Sequence, residues 1–285
     1  MGNNQEGYSI WIKSGFVIYA ILCLCIFTYL RFPYDVISSR IETSLSEYLG
    51  MDISVDSIRT ALPIGFSFKS VEVNKNLMFN EITLRPGLLS LIRGKLNLDV
   101  KALLGQGRID GFFKTPINSF GEPVTIGGKI DNMDISPLIK TFWGLDNING
   151  HVTGTLEFEG LPRRLYKSDG QVCLIFKDGT FPVFIPMLPL DAISFNTLDI
   201  DAHMKKGLLI VDKASIEGSN LSGTLKGRVR LNKQITYSRL NLTGEMKLPD
   251  SIINILPEDS QLKKGRIKFT LGGRLNLPKF RLITR

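Results

Sequence analysis

The chain has 285 residues, 43% hydrophobic and 22% charged, a balance that excludes a disordered tail and a polytopic membrane protein and allows a sizeable core. Two histidines and three cysteines leave little material for His-based metal sites or a disulfide framework. The net charge of +8 suits anionic headgroups or nucleic acid. The longest basic runs, however, are the doublets Arg163-Arg164, Lys205-Lys206 and Lys263-Lys264, so the charge reads as a solvated surface and nucleic acid is not an expected partner.

Residues 14–30, SGFVIYAILCLCIFTYL, carry no charge and are bracketed by Lys13 and Arg31. At 1.5 Å per residue they span about 26 Å. Ile10, Trp11, Phe32 and snorkelling of the two basic ends extend this to about 30 Å, the thickness of a bilayer core. Trp11, Tyr19, Tyr29 and Tyr34 include candidates for interfacial rings. Tyr29-Leu30-Arg31-Phe32 offers no small-x-small site, which favours an uncleaved signal anchor over a removed signal peptide. The expected organisation is a short cytoplasmic stretch at 1–13, a transmembrane signal anchor at 14–32 and a translocated domain beyond it. Lys13 and Arg31 balance, so charge alone leaves the orientation open. Cys23 and Cys25 read as apolar helix residues, and Cys173 is the one thiol of the main domain.

Residues 33–50 predict an amphipathic helix. Ile37, Ile41, Leu45 and Leu49 recur every fourth position, and Gly50 supplies a C-cap. It packs on its own domain or meets a lipid surface or partner.

From residue 51 to 285 almost everything reads as strand. Leu221, Gly223, Leu225, Gly227 and Val229 alternate with polar residues, as do Leu240, Leu242, Gly244 and Met246. Ile267, Phe269, Leu271 and Gly273 form a third stripe, and Val152, Gly154, Leu156 and Phe158 a fourth. Each strand has a dry and a wet face. Such one-sided strands, with few helices to cover them, must turn the dry face inward. Gly154, Gly223, Gly227, Gly244 and Gly273 fall on that dry face, where a missing side chain lets the sheet bend or another body approach. The predicted fold is mostly β: a long, strongly curved antiparallel sheet enclosing an apolar groove, with a few short amphipathic helices. A sandwich or barrel filled by its own side chains is the alternative. The candidate groove face is Val152, Leu156, Phe158, Leu221, Leu225, Val229, Leu240, Leu242, Met246, Ile267, Phe269 and Leu271.

A degenerate repeat joins 134–163 to 250–279. DISPLIKTFWG at 134–144, GHVTGTLEF at 150–158 and LPR at 161–163 correspond to DSIINILP at 250–257, GRIKFTLGG at 265–273 and LPK at 277–279. Each unit predicts a short capped helix, a long strand and a Leu-Pro-basic exit, with Ser136 as N-cap and Pro137 at the first helical position. The two helices either plug the ends of the groove or pack outside it. Residues 180–190, TFPVFIPMLPL, carry Pro182, Pro186 and Pro189, which argue against a central strand. The segment reads as a buried crossing loop or as a loop touching membrane or a partner.

No catalytic set emerges. His151 and His203 both fall on strand patterns, without a G-x-S-x-G elbow. Gly105, Gly107 and Gly111 miss the dinucleotide spacing, and no phosphate-loop motif occurs. Asp199 and Asp201 read as part of a wet face rather than as a glycosidase pair. No catalytic, cofactor-binding or metal residue is assigned, and the expectation is a protein that is not an enzyme. Ten-residue alternating strands also fit an outer-membrane barrel, against which the anchor and the absence of a terminal aromatic argue.

The 50–56 stretch GMDISVD, followed by LPIGFSF at 62–68 and VEV at 71–73, resembles the opening of an AsmA-type domain. RPGLLSLIRGK at 85–95, GTLEFEGLP at 154–162 and LGGRLNLPKF at 271–280 resemble the protein N family of bacterial type II secretion systems, in its form with an AsmA-like periplasmic domain. The resemblance covers nearly the whole chain. It implies a single-pass inner-membrane protein with its main domain in the periplasm. It further implies a non-enzymatic accessory of the secretion machine, with the inner-membrane platform or the secretin as partners. The wider AsmA relatives imply the alternative: a taco-shaped sheet whose groove binds or moves phospholipid or lipopolysaccharide. No cofactor is implied beyond such a bound lipid.

Overall fold

The computed structural model describes residues 50–283 other than 62–63, 118–122, 162–163, 165, 167, 183–191, 220 and 255–264, together with positions 15–17, 19–20, 23–24, 27, 40, 42–44 and 46–47. Fourteen strands form one antiparallel sheet in which each strand pairs with the next in the chain. They are β1 (Ile53–Thr60), β2 (Phe66–Val73), β3 (Leu77–Pro86), β4 (Lys95–Leu104), β5 (Gly107–Pro116), β6 (Val124–Asp134) and β7 (Asn149–Gly160). Then follow β8 (Asp169–Pro182), β9 (Ala192–Lys205), β10 (Leu208–Glu217), β11 (Ser222–Arg230), β12 (Arg239–Lys247), β13 (Arg266–Arg274) and β14 (Leu277–Leu282). The helices α1 (Leu88–Ile92), α2 (Ser136–Trp143) and α3 (Asp250–Ile253) lie in connections.

The first and last strands are edges and do not pair with each other. Closure into a barrel requires that pairing, and a sandwich requires a second sheet. Both alternatives to the open sheet are therefore corrected, the outer-membrane barrel included.

Alternation is cleanest in β12, where Leu240, Leu242, Gly244 and Met246 are buried between exposed or half-buried neighbours. In the first three strands it breaks. Ile53 and Val55 give way to Ile58 in β1, Val73 and Val71 to Phe68 in β2, and Phe79 to Ile82 in β3, yet all share one apolar cluster. The change of parity falls at Asp56, Ser70 and Asn80, which are skipped in the ladders. Ser70 has φ +50°. A local bulge-like twist thus keeps the dry side down while the odd-even count shifts. Asn132 in β6 and Asp178 in β8, at φ +44° and +48°, accompany register shifts of the same kind. The N–H of Asn132 donates to Thr153 Oγ1 at 3.0 Å, so the bulge leaves no orphan donor there.

Helix α2 connects β6 to β7 but packs on β3, so the sheet folds over between them. Its Leu138 and Ile139 join a cluster with Val73, Leu77, Leu104, Ile130, Met133 and Val152, drawn from β2 to β7. The Asp134 carboxylate accepts bonds from the Ser136 N–H at 2.9 Å and the Ser136 hydroxyl at 2.6 Å. Ser136 is thus the first helical residue rather than the N-cap, which is Ile135 and makes no side-chain cap bond; Asp134, one residue earlier, supplies the side-chain acceptor at this end. Helix α3 contributes Ile253 to a second cluster with Ile193, Leu221, Met246, Leu248 and Ile267. Of the two expectations for the repeat helices, both α2 and α3 pack on the apolar interior.

The repeat diverges at its exits. Leu161 follows β7 as expected, but Leu277, Pro278 and Lys279 open β14 instead of leaving the sheet. Proline is tolerated there because β14 is an edge strand. Likewise Thr180, Phe181 and Pro182 end the central strand β8, Pro182 pairing with Ala192. The expectation that 180–190 stays out of a central strand is corrected for these three residues, since a terminal proline removes no interior ladder bond. Residues 183–191 lie outside the described residues.

The other edge is covered differently. Positions 40, 42–44 and 46–47 are helical. Glu42 Oε1 accepts the Val55 N–H at 2.6 Å and Ser46 Oγ accepts the Ile53 N–H at 3.1 Å. Two donors of the β1 edge are thereby closed to strand addition. Gly50, at φ +66°, follows this helix, its N–H donating to Ser46 O at 2.8 Å. The predicted apolar stripe Ile37, Ile41, Leu45 and Leu49 lies outside the described residues. So does most of the anchor at 14–32 and all of 1–13. Of the anchor, positions 15–17, 19–20, 23–24 and 27 are helical, with Phe16 71% and Leu24 66% exposed. No helix among the described residues is long and apolar enough to cross a membrane.

Candidate functional site: an apolar cavity in the second half of the sheet

Seven successive strands, β8 to β14, line one cavity of about 250 Å³. A flat wall of seven strands at 4.8 Å spacing would be about 29 Å wide. Side chains from all seven strands meet around this one half-open cavity, so the wall curls about it. The lining is almost wholly apolar, with Phe181, Ile193, Leu198, Ala214 and Ile216 from β8 to β10 facing Met246, Phe269, Leu271 and Phe280 from β12 to β14. Phe269 and Phe280 stack with ring centroids 5.0 Å apart. Glu245 belongs to the same wall, and its carboxylate pairs with Lys268 Nζ at 3.1 Å. The volume lies just under the range of about 300–1,000 Å³ usual for small-molecule sites. An apolar, half-open cavity of this kind suits a segment of hydrocarbon chain.

The expected groove face distributes over three clusters. Leu221, Leu225, Met246, Phe269 and Leu271 line the cavity, and Ile267 packs beside it. Val229, Leu240 and Leu242 form a separate buried cluster toward the other end of β11 and β12, with Leu225 and Leu271 packed against it. Val152 and Leu156 belong with α2 in the first half. Phe158 is half-buried and pairs across the ladder with Gly170.

The glycines are occupied from within. Gly244 lies opposite Phe269 in the register, and a Cβ on it would stand 2.6 Å from that ring. The bodies that approach the glycine are thus the neighbouring strand's own aromatic on one side and the Thr224 carbonyl of β11, also at 2.6 Å, on the other. The same cross-strand pairing joins Gly127 to Phe112, Gly170 to Phe158 and Gly179 to Phe195. An aromatic ring laid over a glycine restores the burial that the missing side chain forgoes, and fixes register. Gly227 has φ +143° and faces the Asn241 carbonyl, a conformation that side chains rarely adopt. Gly273, at φ +90°, precedes the last turn. Gly154 and Gly223 sit against backbone of β8 and β12.

Phe181, Ile193, Leu198, Ala214, Ile216, Pro278 and Phe280 were missing from the expected face. Bulges at Asp178 and between Val211 and Ala214 shift the parity of β8 and β10, so simple alternation misses their lining positions. Pro278 and Phe280 were hidden because the sequence suggested an exit where β14 begins.

The polar residues singled out by sequence are dispersed. His151 lies on β7 and His203 on β9, and His203 Nδ1 meets Asp212 Oδ2 at 2.6 Å. The Cys173 thiol donates to Asp201 Oδ1 at 3.3 Å, and this carboxylate pushes the thiol's pKa up. Gly105 and Gln106 form the β4–β5 hairpin turn, where the Gly105 N–H donates to Asn80 Oδ1 at 2.9 Å. Glu81 accepts from Ser67 at 2.5 Å and Thr83 at 3.2 Å, and these bonds, Ser67's above all, hold its pKa below the ordinary value. Among the described residues no group of three or more His, Cys, Asp or Glu side chains is placed to hold a metal ion. Comparison with family models, with curated proteins and with solved structures returns no match to this chain.

Proposed function

We propose that this chain is an accessory component of a bacterial type II protein secretion system without catalytic activity of its own. It is held in the inner membrane by residues 14–32 and works in the periplasm on the inner-membrane platform or the secretin. The observation that supports this is the architecture. One open antiparallel meander of fourteen strands, apolar on its inner face and carrying only short helices among the described residues from 50 onward, is the form implied by the resemblance to the protein N family and the AsmA-like domains. The test is deletion of the chain in its native cell. Export of type II substrates should fall and secretin assembly should weaken; unchanged export together with unchanged assembly overturns the proposal.

A second reading rests on the cavity of about 250 Å³. In it the protein binds or transfers envelope lipid, phospholipid or lipopolysaccharide, through an acyl chain laid along β8 to β14. Mass spectrometry of the purified full chain should then detect co-purifying lipid, and Leu225→Phe, which narrows the slot, should deplete it. Lipid-free protein from several membrane sources would sink this reading.

A further inference from the structure

The wet face of the same strands carries a different feature. Arg230 lies opposite Arg239, and Arg239 opposite Arg274, so three arginines occupy one row across β11, β12 and β13. The row continues to Leu208 on one side and Leu277 on the other. Arg228 stands two residues along β11, opposite Asn241. All four arginines are exposed. Like charges set directly opposite each other repel and weaken a sheet. The ion pairs among the described residues involve none of these four. Among the described residues the row therefore carries an electrostatic cost that no acidic side chain neutralises.

Two depressions adjoin it. Leu208, Arg228, Arg230, Arg239, Leu240 and Asn241 line one of about 380 Å³. Arg239 and Arg274 with Tyr237, Asn232 and Gln234 line another of about 260 Å³. The Arg274 guanidinium lies 5.6 Å from the centroid of the Tyr237 ring, a contact that orients it. Tyr237, Leu275 and Leu277 protrude beside the row, 43%, 44% and 68% exposed. Guanidinium groups match phosphate oxygens bidentately. Protruding leucine and tyrosine side chains enter the headgroup–acyl boundary.

We propose that the row Arg230–Arg239–Arg274, with Tyr237, Leu275 and Leu277, docks on a membrane face rich in anionic phospholipid. The surface lies on the face of the sheet opposite the apolar cavity and depends on neither the secretion role nor a lipid held inside.

The test uses the full chain reconstituted in phosphatidylcholine nanodiscs, mixed with separate vesicles of phosphatidylcholine alone or doped with phosphatidylglycerol, and read by co-flotation. Capture by the doped vesicles is expected, with about a tenfold or greater loss in R230Q/R239Q/R274Q and a steep fall with salt. A charge-matched control, K129Q/K177Q/K213Q, keeps capture. Removing the repelling row should not harm folding, which circular dichroism checks; the single Arg239→Gln, at the centre of the row, carries the test if the triple variant fails to fold. Equal capture by both vesicle types, equal loss in the two triple variants, or full displacement by millimolar inorganic phosphate would each overturn the proposal, the last by revealing a small-anion site instead of a membrane-docking surface.

Discussion

Strands β2 to β8 and strands β8 to β14 both turn an apolar face inward, but they fill the space differently. Across the first, α2 lays eight residues, about 12 Å of helix, against strands as far back as β3. In the second, α3 has four residues and among the described residues reaches the interior through Ile253. The cavity lies in this second half. The two helices arise from related stretches of sequence but differ in length, eight residues against four. The edges differ too, with β1 covered by Glu42 and Ser46 and β14 blunted by Pro278, Lys279 and Arg281.

The sharpest break of this comparison is in the half that α2 packs into. Leu77 is 1% exposed within the α2 cluster, and Leu77→Ala should cost about 3–4 kcal/mol in urea unfolding. Met246→Ala, at 3% exposed beside an existing cavity, should cost less, about 2 kcal/mol. Equal losses would mean that the two interiors are filled alike. Next in size, Gly244→Ala pushes a methyl group into the Phe269 ring and should cost about 1–3 kcal/mol. The double variant Gly244→Ala/Phe269→Leu should recover part of the loss, a coupling read by a double-mutant cycle.

At the first edge, Glu42→Ala frees the Val55 N–H and should cost about 1 kcal/mol, with concentration-dependent association seen by light scattering. Leu225→Phe should change stability by less than about 1 kcal/mol in a calorimetric melt, because it enters space already empty, while reducing any lipid recovered. The smallest effect is acid sensitivity. Glu81 binds its proton less readily folded than unfolded, so its contribution is present above its unfolded pKa and is lost as pH falls through the lower folded value. Glu81→Gln should therefore lower stability slightly at neutral pH, where the carboxylate contributes, flatten the acid limb of the stability curve below about pH 4, and converge with wild type at still lower pH. An unaltered acid limb would assign the wild-type slope to other carboxylates.

Much of this was legible from residue spacing. β11, β12 and β13 alternate without interruption, and a period of two states directly which side of a strand is dry. Their buried positions Val229, Leu240, Leu242, Met246 and Ile267 follow from that period alone. β1 to β3 and β8 were less legible, because a single residue with positive φ, such as Ser70 or Asp178, moves every later side chain to the other count. The arginine row was hidden for a related reason. Arg230, Arg239 and Arg274 are ordinary wet-face residues one strand at a time, and only the register sets them side by side.

Local sequence thus determined the extended conformation, the inward stripe and the places where helices interrupt, since backbone preference and side-chain period act over a few residues. The tertiary structure decided that the sheet stays open, that the ring of Phe269 covers Gly244, that α2 packs into one half while a cavity lies in the other, and which charges stand opposite each other. Those outcomes depend on strand register and on volumes contributed by residues far apart in the chain, and no local pattern encodes either.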